Sequence, residues 1–118
     1  MFFRCCEILE RLNKSTFRSK FHLKEQDKLY ILEKGIDKIQ EHAYDFISKR
    51  LAPEIILNDG KQTPMKGHSV FISQHATATS CRGCLNKWYG VAKNRELSYR
   101  EISFIVDLIM SWINKEMM

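Results

Sequence analysis

The stretch "LSYREISFIVDLIMSWI", residues 97–113, decides the fold class. Ser98 and Glu101 stand at the spacing of a capping box, in which each side chain satisfies the other's backbone at the start of a helix. Ile102, Ile105, Val106, Ile109 and Ile113 then recur every three or four positions and form one apolar stripe. Trp112 closes the edge of that stripe. The segment predicts a long amphipathic helix that needs other helices to cover it.

The same period recurs upstream. Ile36, Ile39, Ala43, Phe46, Ile47 and Leu51 step by three or four, and Pro53 ends the pattern. Ile8, Leu9 and Leu12 share one face of a short helix over Cys5 to Leu12, and Asn13 to Ser19 is a polar connection. A further helix is predicted from about Lys24 to Lys34. There Leu29, Tyr30, Ile31 and Leu32 offer more than one apolar face, and Gly35 provides the stop. The expectation is an all-α fold: one domain over residues 1–118, with five or six helices and one long irregular loop at about 52–67. Within that loop Asn58-Asp59-Gly60 signals a turn and Thr63-Pro64 signals extended backbone. Glu54 to Leu57 has strand composition but no partner strand. Long loops of this kind are often functional.

Composition narrows the class. A chain of 118 residues with 44% hydrophobic and 28% charged residues can bury one core, which excludes a disordered or low-complexity protein. No apolar run approaches the ~20 residues of a membrane span. Arg4 and Glu7 interrupt any signal-peptide pattern near the start, so the expected setting is cytoplasmic with reduced thiols.

The net charge of +5 is unevenly placed. Between Gly60 and Arg95 stand Lys61, Lys66, Arg82, Lys87, Lys93 and Arg95, with no Asp or Glu; the remaining thirteen basic residues face fourteen acidic ones. Lys61, Lys66, Arg82, Lys87 and Lys93 therefore form a candidate surface for nucleic acid or another polyanion. The competing explanation is a solvated basic loop that serves solubility. Trp88 and Tyr89 lie among these cations and could stack on bases, or could sit half-buried at the core edge. Gly60-Lys61-Gln62-Thr63 lacks the spacing of a phosphate-binding loop, so no nucleoside triphosphate site is assigned.

The same region holds "GHSVFISQHATATSCRGCLNKWYG", residues 67–90. A helix over 68–78 fits Val70, Phe71, Gln74, His75 and Ala78 on one face, although its Val, Ile and Thr also suit strands. Ser80 is the expected cap of a second short helix, Cys81 to Tyr89, ended by Gly90. Cys81-Arg-Gly-Cys84 puts two thiols one turn apart at a helix start, where the backbone N–H groups favour the thiolate. That arrangement suits tetrahedral zinc, with His75 and His68 completing the ligand set His68, His75, Cys81 and Cys84. One objection is geometric: on a continuous helix His68 and His75 are about 10.5 Å apart along the axis. Either the helix starts after His68, or His68 lies outside the ligand shell. His22, His42, Cys5 and Cys6 are remote alternatives. The same CxxC could instead be a redox dithiol or a pair of packed small hydrophobes.

The blocks "FRSKFHLKEQDKLYI", "GKQTPMKGHSVFISQHATATSCRGCLNKW" and "LSYREISFIVDLIMSWI" together resemble a small bacterial domain family of unknown function over residues 15 to 115. The resemblance implies that the middle block is the defining feature. The family pattern carries Pro at the position of Ser69, Cys at Ser80 and His at Tyr89, so a metal site in this chain would do without positions 80 and 89. The resemblance brings no activity with it.

Three roles follow as expectations. The first is a zinc-bearing protein with a basic surface for nucleic acid or another polyanion. The second is a thiol- or metal-dependent enzyme acting on an anionic substrate near the 59–68 loop, through Cys81 or Cys84 with Lys61 and Arg82. The third is a helical interaction module that uses the 54–66 loop.

Overall fold

The computed structural model describes residues 2–56, 61 and 63–118, with side chains from Cys5 onward. Its centre is the helix predicted above, α6 (Tyr99–Met117). Ser98 Oγ accepts from the Glu101 N–H at 3.1 Å, and Glu101 Oε1 accepts from the Ser98 N–H at 2.9 Å, so both halves of the capping box form. Leu108, Met110 and Trp112 are buried as well as Ile105, Val106, Ile109 and Ile113, while Ile102 is only half-buried. The buried face is wider than one stripe because α6 is covered from several sides. Its neighbours are α1 (Phe2–Asn13), α3 (Ile36–Arg50) and α4 (Ser69–Ala76).

The remaining elements are a 3-10 turn at Arg18–Lys20, α2 (Glu25–Lys34) and α5 (Arg82–Tyr89). The domain is all-α with six α-helices, and there is no strand among the described residues. The expected Asn58-Asp59-Gly60 turn and most of its neighbourhood, Leu57 and Gln62 included, lie outside those residues. No helix is long and apolar enough to cross a membrane, among the described residues.

Two junctions show how sequence sets the path. Gly35 has φ +89° and serves two helices at once. Its N–H donates to Ile31 O at 2.8 Å to end α2, and its carbonyl accepts from Ile39 N–H at 3.2 Å to begin α3. A side chain would be strained in that backbone region, which is why glycine stands there. In α3, Ile39, Ala43, Ile47 and Leu51 point inward at intervals of four. In α2 only Ile31 is buried; Leu29 and Leu32 are 57% and 71% exposed, so the expected second apolar face looks outward.

α4 starts at Ser69, after His68, and all eight of its residues are buried. It ends in a left-handed turn. Ala78 takes φ +58°, and the Thr79 N–H reaches back to Gln74 O at 2.8 Å. This is the six-to-one closure of a Schellman motif, with alanine where glycine is usual.

Candidate functional site: the Cys81–Cys84 thiol pair

Thr63, Ser73, Gln74, His75, Thr77, Thr79 and Ser80 are buried, yet they do not converge on an open site. Ser73 Oγ donates to Ile109 O at 3.0 Å, tying α4 to α6. Thr77 Oγ1 donates to Ser73 O at 2.7 Å and lies 3.0 Å from Thr79 Oγ1. Gln74 Nε2 donates to Thr79 O at 3.0 Å and reaches Thr63 Oγ1 at 3.4 Å. Thr63 Oγ1 in turn donates to Ser80 O at 2.7 Å. Buried hydroxyls and amides are usually paired, and these pair with one another and with backbone, whereas the buried Ser69 Oγ has no hydrogen-bond partner among the described residues. The Tyr89 hydroxyl adds a short bond to Thr77 O.

His75 belongs to this framework. Its Nε2 lies 3.2 Å from Thr63 O and 3.0 Å from Pro64 O, and carbonyls only accept, so Nε2 carries the proton. The ring stacks on Phe21 at 5.8 Å. His75 therefore pins the end of the long loop, with Nε2 committed.

His68 lies elsewhere. It caps α4, with Nδ1 accepting from the Val70 N–H at 3.0 Å, and its Nε2 is 3.1 Å from His42 Nδ1. Because Nδ1 accepts, neutral His68 carries its proton on Nε2 and donates it to His42. Tyr30, Phe46 and Phe71 surround the ring. Burial, then the neighbouring His42, lowers the His68 pKa to about 4, against an opposing pull from Asp27.

Cys81 and Cys84 do meet. Cys81, not Ser80, caps α5: its sulfur accepts from the Cys84 N–H at 3.3 Å. The Cys81 S–H faces Cys84 Sγ at 3.1 Å. Arg18, from the 3-10 turn, places Nη2 3.4 Å from Cys84 Sγ, while its Nη1 is held by His75 O at 2.6 Å. Ser80 Oγ stands 3.9 Å away on another side. Burial pushes the Cys84 thiol up. The hydrogen bonds from Cys81, Arg18 and Ser80, with the Arg18 charge, outweigh burial and hold the thiol below its ordinary value. Cys5, by contrast, is buried beside Ser111, and burial raises its thiol.

The expected ligand set of His68, His75, Cys81 and Cys84 is thus divided among three places: a histidine pair at α4's start, a loop pin, and the thiol pair. Among the described residues no group of three or more His, Cys, Asp or Glu is arranged to hold a metal ion. His22 pairs with Glu116 at 3.1 Å.

The expected basic surface needs one correction. Arg82 is 3% exposed, and its guanidinium donates to the carbonyls of Leu51, Pro53, Ala92 and Arg95 at 2.7–3.2 Å. It fastens the end of α3 to the strap between α5 and α6, where it cannot meet a polyanion. Arg95 is bound to Glu101 through two contacts at 2.7 and 2.5 Å. Lys61, Lys66, Lys87 and Lys93 remain exposed.

Arg18 is the residue that sequence reading missed. It stands 66 positions from Cys84 inside a segment that reads as a polar connection, so no local pattern marks it.

No solved structure matches this chain. A family model does match, over residues 6–114, and the chain accordingly belongs to the family described as a domain of unknown function (DUF4186).

Proposed function

We propose that this protein works through Cys81 and Cys84 as a thiol-based redox or transfer site, with Cys84 as the attacking thiolate. The supporting observation is the Arg18 guanidinium on Cys84 Sγ, beside a second sulfur at 3.1 Å. A cation and a sulfhydryl donor aimed at one sulfur stabilise its thiolate, the form that reacts.

The chemistry is thiol–disulfide exchange. The Cys84 thiolate attacks one sulfur of a substrate disulfide. That S–S bond breaks, and its electron pair leaves on the far sulfur, which takes a proton. Cys81, having lost its proton to solvent, attacks Cys84 Sγ, forms the Cys81–Cys84 disulfide and expels the second thiolate, which is protonated in turn. Two electrons pass from the cysteine pair to the substrate. An external dithiol returns them.

Cys84 is half-buried and Cys81 nearly covered, so Cys84 is also the sulfur more open to a substrate. The zinc and polyanion reading has less support: His75 Nε2 is occupied by carbonyls, His68 by His42, and Arg82 is buried.

The test is iodoacetamide alkylation of metal-free protein, followed residue by residue by mass spectrometry between about pH 5 and 9. Cys84 should react at lower pH than the exposed Cys6, and Arg18→Met should move its profile upward. A Cys84 profile matching that of Cys6 would refute the proposal. Elemental analysis of natively purified protein runs beside it: one equivalent of zinc that disappears in Cys84→Ser would favour the metal reading instead.

A further inference from the structure

We infer that the Cys81–Cys84 pair also takes a hydroperoxide as its oxidant, with Arg18 and Ser80 holding the peroxide oxygens while Cys84 Sγ attacks. This inference rests on the thiol reading above and adds a second class of oxidant to it. Its basis is the set of donors around one sulfur. Arg18 Nη2 lies 3.4 Å from Cys84 Sγ, and Ser80 Oγ lies 3.9 Å from it. Against a thiolate both must donate, since that sulfur has no proton to give.

The two oxidant classes ask different things of a site. In disulfide exchange the leaving group is a thiolate, whose conjugate acid has a pKa of about 8.5. From a hydroperoxide the leaving group is hydroxide or an alkoxide, and the pKa of water is about 15.7. An activated thiolate serves the first. The second also needs positive charge and hydrogen-bond donors beside the sulfur, where the charge on oxygen develops. Arg18 and Ser80 stand there. Nη2 of Arg18 carries two hydrogens, so it can hold the sulfur and one peroxide oxygen together. The guanidinium is fixed beforehand by His75 O on Nη1 at 2.6 Å and by the Phe17 ring at 4.9 Å. Ser80 Oγ is too far for a strong bond to the sulfur and can turn its hydrogen to an oxygen seated beside it. Cys84 is half-buried and Cys81 nearly covered, an access that a small peroxide meets most easily.

The bonds balance. The Cys84 thiolate attacks the peroxide oxygen that bears the hydrogen. The S–O bond forms, the O–O bond breaks, and the electron pair leaves on the far oxygen, which takes a proton from solvent and departs as water or an alcohol. Cys84 is then a sulfenic acid. Cys81, its proton lost to solvent, attacks Cys84 Sγ from 3.1 Å. The S–S bond forms, the S–O bond breaks, and hydroxide leaves and is protonated to water. Two electrons pass from the cysteine pair to the peroxide, and an external dithiol returns them.

The experiment compares hydrogen peroxide with iodoacetamide on reduced, metal-free protein, at a pH where the Cys84 alkylation profile has reached its plateau. Iodide needs no donor to leave, so iodoacetamide reports the thiolate alone. Each rate at Cys84 is divided by the rate of the same reagent with the N-acetylcysteine thiolate. The peroxide ratio should exceed the iodoacetamide ratio about tenfold or more. Ser80→Ala should lower the peroxide ratio roughly three- to tenfold further than the iodoacetamide ratio. Peroxide-treated wild type should carry the Cys81–Cys84 disulfide, whereas Cys81→Ala should stop at the Cys84 sulfenic acid, captured by dimedone. Equal ratios for the two reagents, or oxidised wild-type Cys84 without the disulfide, overturns the inference. A Ser80→Ala variant that slows both reagents alike overturns it too, because the hydroxyl then acts on the thiolate and not on the peroxide. A Cys84 iodoacetamide profile equal to that of Cys6 is a different failure, because it removes the reactive thiol itself.

Discussion

Acidification should destabilise this protein through His68, and the structure gives the direction and size. The folded protein holds the His68 pKa near 4, against 6.5 for the unconstrained side chain, because the ring is partly buried and stands against His42. Above about pH 6.5 the imidazole is neutral in both states, and the folded state keeps its full advantage. Between 6.5 and about 4 the unfolded chain binds a proton that the folded chain refuses, so stability falls as pH falls. The unscreened gap corresponds to about 3 kcal/mol, and solvent at this partly exposed ring reduces it to about 1–2 kcal/mol. The bonding gives the same sign. Neutral His68 accepts from Val70 N–H and donates to His42, whereas a protonated ring cannot accept, so the α4 cap is lost. His68→Asn tests this, since asparagine can still accept from Val70 N–H but does not titrate. Urea unfolding at about pH 7.5, 6, 5 and 4.5 gives a wild-type minus variant difference that reports the His68–His42 pair, since titrating groups away from it cancel. Wild type should lose about 1–2 kcal/mol relative to the variant across that range. An identical pH dependence in the two proteins would refute the reasoning.

Three further outcomes follow from the packing. Arg82→Met removes a buried cation that satisfies four carbonyls and should cost on the order of 3–5 kcal/mol by denaturant unfolding, far more than a surface arginine would. Gly35→Ala meets no neighbouring atom within 4 Å, so its cost, about 1–3 kcal/mol in melting experiments, should come from backbone strain alone. Cys81→Ala removes both the acceptor for the Cys84 N–H and the S–H donor to Cys84 Sγ, so it should cost about 1 kcal/mol in thermal unfolding and the Cys84 thiol should titrate at higher pH in an alkylation profile.

The helices were legible because their signals are local. Ser98 and Glu101 sit three residues apart, and the Ile39 to Leu51 ladder repeats every four, so a short window contains the whole cause. The site was legible only in part for the same reason. Cys81 and Cys84 are one helical turn apart, and the helix itself brings them together. Arg82 reads as a surface cation because it falls in a segment with six basic residues and no acidic one; what buries it is the carbonyls of Leu51, Pro53, Ala92 and Arg95, which only tertiary structure delivers. His75 reads as a metal ligand by its spacing to the cysteines, yet its Nε2 is taken by a loop eleven and twelve residues earlier. Histidine and threonine serve as structural hydrogen-bonding groups as readily as chemical ones, and composition does not separate the two uses.

That structural use bears directly on the thiols. A continuous series of side-chain bonds runs from Ile109 O in α6 through Ser73, Thr77 and Thr79, and then through Gln74 and Thr63 to the carbonyl of Ser80, the residue before Cys81. The α5 cap is thereby referenced to the central helix. Arg18 is referenced to the same frame through His75 O. Two sulfurs at 3.1 Å need to close by only about 1 Å to bond, a movement that side-chain rotation can supply while this frame stays in place. The buried threonines and glutamine of "SQHATATS" thus act on the thiols through structure; they fix the distance and direction at which Cys81, Cys84 and Arg18 meet, which is the condition the proposed thiol chemistry requires.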